Sequence, residues 1–346
     1  MKRKITIRDV AKKAGLSVST VSLITNNKPN VNDETRRKVL EIIKQLGYHA
    51  QRSARGLASQ SSGNIGFILT EDHFSQAEPF YTKIFLGTEF EARNHNFYIL
   101  LTTVGWTLKD HNQVPRFLLE HNVDGVIIAG KIGASWVDYI HEQNLPLILI
   151  DYELPRHRVS TVGMDNRTGI KLVVEHLRRG GHTKIGFIGG DVHHPSIAER
   201  FASYRDTLSA GGISIVNQWI AVGEANTSLS DGYEAAKKIF SMNGERPTAV
   251  VCANDAMALG CMKFLKETGV AIPGDVAIVG FDNIEAGLHV EPRLTTVNVH
   301  REEMGGIAVR RLVEMIKDQS AVLTKTLTPV ELIVRDSCGV KEDVSD

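Results

Sequence analysis

The sequence predicts an α/β protein: a small helical head followed by two doubly wound parallel-sheet lobes. Three observations carry this reading. Residues 1–60 hold 13 Lys and Arg against 4 Asp and Glu, and the remainder holds 27 against 36, so a net charge of zero conceals a basic head on an acidic body. Within the head, apolar residues recur at helical spacing. From Asn64 onward, short apolar runs alternate with amphipathic stretches, as in strands covered on both faces by crossover helices.

In the head, Thr6 is placed to cap a first helix, with Asp9 three residues on closing a capping box. Val10, Ala11 and Ala14 make its apolar stripe, and Gly15 supplies a sharp turn. Ser17 caps a second helix in which Val21 and Ile24 point inward while Val18, Ser19 and Ser22 stay outside. Residues 17–26 are therefore read as the recognition helix of a helix-turn-helix, since small polar side chains at an exposed helix start suit a major groove. The basic charge fits phosphate binding, which releases condensed counterions. A third helix is expected over 33–46, capped by Asn32, with Val39, Ile42, Ile43 and Leu46 buried. Tyr48 reads equally as a phosphate contact and as packing on the head's own core.

In the body, strands are expected over 65–69, 98–101, 123–129 and 147–150, with helices over 81–94, 114–121 and 136–143. The pattern repeats with helices over 168–179, 199–210, 231–241 and 256–268 and strands over 184–189, 219–222, 249–253 and 276–279. Two such lobes in tandem frame a cleft at the carboxyl ends of their strands, suited to a small molecule.

The run Thr6-Ile7-Arg8-Asp9-Val10-Ala11-Lys12-Lys13-Ala14-Gly15-Leu16-Ser17-Val18-Ser19-Thr20-Val21-Ser22 carries a specific likeness. So do Leu46-Gly47-Tyr48, Ala54-Arg55-Gly56-Leu57, Pro79-Phe80-Tyr81, Asp165-Asn166, Ala253-Asn254-Asp255-Ala256 and Val279-Gly280-Phe281-Asp282. In this order they resemble the lac repressor/galactose repressor (LacI/GalR) family of bacterial transcription regulators over nearly the whole chain. The resemblance implies lobes of periplasmic-binding-protein type that exchange strands. The implied division is a head over 1–50, a hinge helix and linker over 51–60, a first lobe over 61–162 plus 293–324, a second over 163–292 plus 325–340, and a tail over 341–346. The crossings would then fall at Val162, near Pro292 and near Lys325.

The resemblance also assigns residues. The expected DNA contacts are Thr6, Ser17, Val18, Ser19, Thr20, Ser22, Leu23 and Asn26 in the head, Tyr48 behind it, and Ala54, Arg55 and Leu57 in the hinge helix. Leu57 would be a minor-groove wedge, although by itself it reads as a packing leucine. Leu23 departs from the family's usual arginine, which pairs with guanine, so base choice is expected to change there by about 1–3 kcal/mol. Ala50 replaces a usual proline before the hinge helix. In the cleft the expected effector contacts are Phe80, Tyr81, Asp165, His194, Ser196, Arg200, Asn254 and Asp282: rings for the apolar face of a sugar and charged groups for its hydroxyls. Tyr81 also reads as core, His194 as solvated and Asp255 as a helix cap. Ala225 stands where the family often has a stacking ring, leaving Asn226 or Trp106 to compensate.

The partners expected are operator DNA, a small-molecule effector of carbohydrate type and a second copy of the chain. The tail lacks leucine heptads, so a dimer is expected rather than a tetramer. No apolar run approaches the roughly 20 residues that span a bilayer, and Met1 to Thr6 does not lead into an apolar signal core. A cytoplasmic protein is expected. A transporter's solute-binding protein would need such a signal and no basic head. An enzyme is not expected: Gly186-Phe187-Ile188-Gly189-Gly190 does not spell a dinucleotide loop, and no nucleophile elbow or P-loop occurs. Cys252, Cys261 and Cys338 have no metal spacing, so neither metal nor cofactor is expected.

Overall fold

The computed structural model describes residues 5–25, 31–46, 61–71, 80–223, 226–242, 244–318 and 320–340. The chain divides into two compact units, Met1–Gly63 with His121–Asp124, and Asn64–Glu120 with Gly125–Asp346. Each folds around its own apolar core.

Among its described residues the first unit holds three helices, α1 (Ile7–Ala14), α2 (Val18–Thr25) and α3 (Asp33–Leu46). The Thr6 backbone N–H and hydroxyl both donate to Asp9 Oδ2, at 2.8 and 2.7 Å, which fixes the start of α1. Gly15 ends it at φ 69°, a left-handed turn that a side chain would strain. The Thr20 N–H donates to Ser17 Oγ at 3.1 Å and the Thr35 N–H to Asn32 Oδ1 at 2.8 Å, so both expected caps are made. Val10, Ala11, Ala14, Val21, Ile24, Val39 and Ile42 close the core, with Ile43 and Leu46 half-buried at its margin. Behind the head, Asp124 accepts from Ser61 Oγ and the N–H groups of Ser62 and Gly63, at 2.6, 2.6 and 2.8 Å.

The second unit is two α/β lobes. The first carries β1 (Asn64–Thr70), α4 (Phe80–Asn94), β2 (Tyr98–Val104), α5 (Arg116–Leu119), β3 (Gly125–Ala129), α6 (Ala134–Glu142), β4 (Leu147–Ile150) and β5 (Ser160–Met164). The second carries α7 (Asn166–Arg179), β6 (Ile185–Ile188), α8 (Pro195–Ala210), β7 (Ile220–Ala221), α9 (Leu229–Phe240), β8 (Ala249–Cys252), α10 (Asp255–Glu267) and β9 (Ala277–Val279). The chain finishes with β10 (Thr296–Val299), α11 (Arg301–Lys317), β11 (Lys325–Thr328) and β12 (Val330–Ile333). The first sheet is parallel throughout, in the order β11-β5-β4-β3-β1-β2, and the second runs β7-β6-β8-β9. β10 pairs antiparallel with β12 and reaches the second sheet through the bridges Val279 to Thr295 and Asp282 to Asn298.

Four sequence expectations need correction. Residues 98–101 are not covered on both faces: β2 is the sheet's edge, with Tyr98 64 % exposed. The helix expected over 114–121 is the short α5 preceded by a 3-10 turn at His111–Gln113, because Pro115 has no N–H to continue a helix through it. Strand 219–222 shrinks to two residues. The crossings lie later than expected, since β5 runs to Met164 and β11 covers Lys325–Thr328 in the first sheet, while β10 stays with the second. Hydrogen-bond ladders decide those edges, and mixed runs such as Thr295-Thr296-Val297-Asn298 have no apolar period to reveal them. β10, α11, β11 and β12 themselves have no counterpart among the elements expected from the pattern.

Candidate functional site

The recognition helix presents its residues unevenly. Val18, Ser19 and Leu23 are exposed, Leu23 to 40 %, while Thr20 and Ser22 are half-buried and Val21 and Ile24 are turned inward. Ser17 Oγ lies 2.8 Å from the hydroxyls of both Ser19 and Thr20 while taking the Thr20 N–H, so the start of α2 is tied together before anything binds it. Thr6 serves as the cap of α1. Asn26, Tyr48, Ala54, Arg55 and Leu57 lie outside the described residues.

In the second unit the strand ends converge. Asp151 directly follows β4 at φ 57°. It accepts from the Tyr81 hydroxyl of α4 at 3.0 Å and from the Ser196 hydroxyl of α8 at 2.6 Å. Burial, and then the Asp151 charge, push the Tyr81 phenol well above its usual range, so it stays a donor. Pro195 at the first helical position starts α8 four residues ahead of the expected 199, which carries Ser196 into the clasp.

Arg200, one turn further along α8, is buried and fully arranged. Its Nε donates to Asn166 Oδ1 at 2.8 Å, Nη1 to the Ala253 carbonyl at 2.6 Å and Nη2 to Met164 Sδ at 3.0 Å. Its guanidinium stacks 3.7 Å above the Phe281 ring centroid. Asp282 Oδ1 stands 3.7 Å from Arg200 Nη2, beyond hydrogen-bond reach, and takes no hydrogen bond. Burial raises the Asp282 carboxyl to about 8, against the pull of Arg200, so it is mostly protonated at neutral pH. Asp282 and Asn283 both have positive φ, 114° and 54°, and the turn is pinned by Arg335 Nη2 on Asn283 Oδ1 at 2.6 Å and by Asn283 Nδ2 on Asn298 Oδ1 at 2.9 Å.

The rim is aromatic and charged. Trp106, Tyr152 and His194 form a chain of ring contacts at 6.4 and 5.5 Å that passes from the first lobe to the second. Lys131 Nζ lies 5.1 Å from the Trp106 ring centroid and 2.6 Å from Asp191 Oδ2, a further link between the lobes. His194 is held neutral by burial, and its Nδ1 has no partner among the described residues. Phe80 packs edge-on to Tyr81 at 5.1 Å. Behind Asp151 and Ser196 is a cavity of about 20 Å³, room for roughly one water.

Of the eight expected effector residues, Tyr81, Ser196, Arg200 and Asp282 come together, with Phe80 and His194 beside them. Asp165 and Asn254 have other work. Asp165 Oδ1 caps α7 through the Thr168 N–H at 2.9 Å. Asn254 caps α10 through the Met257 N–H at 2.8 Å and donates to the Thr227 carbonyl at 2.9 Å. Asp255, which reads equally as a cap and as a ligand contact, lies buried beneath the site, accepting from Thr296 Oγ1 at 2.5 Å and the Ile284 N–H at 2.8 Å. Sequence reasoning passed over Asp151, Tyr152, Asn166, Lys131, Asp191 and Arg301. Asp151 was signalled by its place immediately after an apolar strand, where ligand-facing residues of open α/β sheets gather.

Comparison with known proteins decides the family. A model of bacterial regulatory proteins of the lacI family matches residues 6–51, and a periplasmic binding protein-like domain matches residues 174–338. Catabolite control protein A of Priestia megaterium is 30% identical across 96% of this chain and 99% of its own length. The chain belongs to the LacI family. The transcriptional repressor PurR of Vibrio cholerae is likewise 30% identical, across 91% of this chain and 92% of its own. Among solved structures, the lac repressor dimer bound to operator and the anti-inducer ONPF superposes with a TM-score of 0.78 at 27% identity, covering 97% of this chain and 99% of that one. The regulator CelR in complex with cellobiose superposes with a TM-score of 0.72 at 28% identity, covering 96% of this chain and 100% of that one. As a LacI-family repressor, the protein joins a DNA-binding helix-turn-helix to a ligand-binding regulatory domain of two lobes.

Proposed function

We propose that this LacI-family repressor binds a palindromic operator as a homodimer and that a carbohydrate in the interlobe cleft sets its affinity for DNA. The observation that carries the reading is the Asp151 clasp, in which one carboxylate holds Tyr81 of the first lobe and Ser196 of the second. A ligand hydroxyl competing for that carboxylate would alter how the lobes close, which is the differential contact that a switch requires. Aromatic rings beside paired polar groups suit a sugar, and a structural relative, the regulator CelR, is in complex with cellobiose.

In this reading Val18, Ser19 and Leu23 meet the major groove, Ser17 and Thr20 hold the helix start, and Ser22 approaches the backbone. The segment 51–60 acts as hinge helix and linker and carries the lobes' state to the minor groove through Leu57. Dimerisation is favoured by the exposed face of α4, where Leu86 and Phe90 stand a turn apart, since exposed large apolar side chains grouped together favour a partner. The protein would act in the cytoplasm, without catalysis.

A melting screen against sugars and their derivatives tests the reading. A cleft ligand should raise the melting temperature by mass action and change operator affinity. Failure of every small molecule to do either contradicts it.

A further inference from the structure

Arg301 opens α11 and is only 4 % exposed. Its guanidinium lies between the lobes' contributions to the cleft. The carbon stands 5.8 Å from the Phe80 ring centroid on one side, and Nη2 donates to the Asn283 carbonyl at 3.0 Å on the other. Nε and Nη1 are buried and donate to nothing among the described residues. A guanidinium has five N–H donors, two of them on Nη2. Whichever of those two serves Asn283, one edge of the fork, Nε with Nη2 or Nη1 with Nη2, keeps two parallel donors. That edge is the geometry that grips a carboxylate or a phosphate.

The surrounding acids do not supply such a group. Asp282, the neighbour of Asn283, is raised by its burial against the pull of Arg200 and Arg301, and its Oδ1 takes no hydrogen bond among the described residues. Asp255 has one oxygen on the Thr296 hydroxyl and the other on the Ile284 N–H. Asp151 is engaged by Tyr81 and Ser196. A buried cation whose donors face no acceptor is costly. Among the described residues the cleft therefore has a cation, a ring beside it, and no anion aimed at the free donors.

We propose that the cleft ligand is an acidic carbohydrate, bearing a carboxylate or a phosphate, and that Arg301 is the residue that selects for the acidic group. The inference rests on the carbohydrate reading given above and names the class within it. Phe80 would cover the sugar's apolar face, and the Asp282 carboxyl would meet a hydroxyl.

The test is calorimetric titration of the full chain with D-galacturonate, D-glucuronate and D-glucose 6-phosphate beside galactose and glucose. A charge-assisted hydrogen bond contributes about 1.5–3 kcal/mol, so an acidic member should bind at least about tenfold more tightly than its neutral counterpart. Arg301→Gln should abolish that preference, and Arg301→Lys, which keeps the charge but loses the fork, should retain part of it. The melting temperatures of the free variants report their folding. Equal or tighter binding of the neutral sugars, or a preference that survives Arg301→Gln, overturns the inference and leaves the carbohydrate reading standing. If no sugar binds, acidic or neutral, the carbohydrate reading falls and the inference falls with it.

Discussion

The Ser196 hydroxyl donates to Asp151 Oδ1 at 2.6 Å, joining the first turn of a second-lobe helix to the end of a first-lobe strand. With the Tyr81 hydroxyl on the other oxygen, one buried carboxylate becomes the clasp of the cleft. Asp151→Ala leaves both hydroxyls without their acceptor, at a cost of about 1–3 kcal/mol for a buried group stranded in this way. The expected outcome is a melting temperature lower by a few degrees and a larger radius of gyration in small-angle scattering, as the lobes part. Unchanged scattering would show that other contacts, Lys131 with Asp191 first among them, hold the lobes.

The buried carboxyls make stability depend on pH. Asp282 is raised to about 8 and Asp255 to about 7, chiefly by burial. In the unfolded chain an Asp ionises near 4. Between these limits the folded protein binds more protons than the unfolded one, so stability is fullest below pH 4 as far as these groups are concerned and declines as pH rises toward 8. Melting temperatures measured from pH 6 to 9 should fall, and Asp282→Asn should flatten the fall and equal or exceed the wild type at the alkaline end. A variant with the same slope as wild type would show that Asp282 is ionised in the fold.

Leu23 is 40 % exposed on the recognition helix and has no polar group to offer a base. Leu23→Arg should gain about 1–3 kcal/mol for operators with guanine at the position it meets, through a bidentate contact. Selection of bound sequences from a random pool, compared between the two proteins, reads this directly. Identical selected sequences would place Leu23 away from the bases.

Helices α4 and α11 touch backbone to backbone. A methyl group on Gly87 would collide with the Glu302 carbonyl, and one on Gly305 with the Ile84 carbonyl. Gly87→Ala should destabilise the protein by about 1–3 kcal/mol or more, as overpacking of a close contact does, measured by urea unfolding. A neutral effect would mean that the helices can separate freely. Because Arg301 and Glu302 open α11, the same variant should also weaken ligand binding.

Much of this was legible in the sequence, where local chemistry and function coincide. Thr6 with Asp9, Ser17 and Asn32 announce their caps, and fully covered strands such as Leu147–Ile150 stand out as apolar runs. The exchanged segments were not, because β10 and β11 are short and mixed and owe their place to hydrogen bonds with strands far away in sequence. The site was legible by position rather than by role. Arg200 and Asp282 meet in the fold, whereas Asp165 and Asn254 look the same in the sequence until their side chains are seen capping helices. Arg301 carries no local signal at all, since a basic residue at a helix start reads as a solvated one. Its burial depends on Phe80 and Asn283, which only the fold brings to it.

In the proposed switch, occupancy of the cleft sets affinity for DNA. The most direct measurement is operator binding by the full chain, followed by fluorescence anisotropy at fixed salt, with and without a sugar that raises the melting temperature. A coupling of about 1–3 kcal/mol predicts a 5- to 150-fold change in operator affinity, lost in Asp151→Ala. A sugar that binds the cleft and leaves operator affinity unchanged would contradict it.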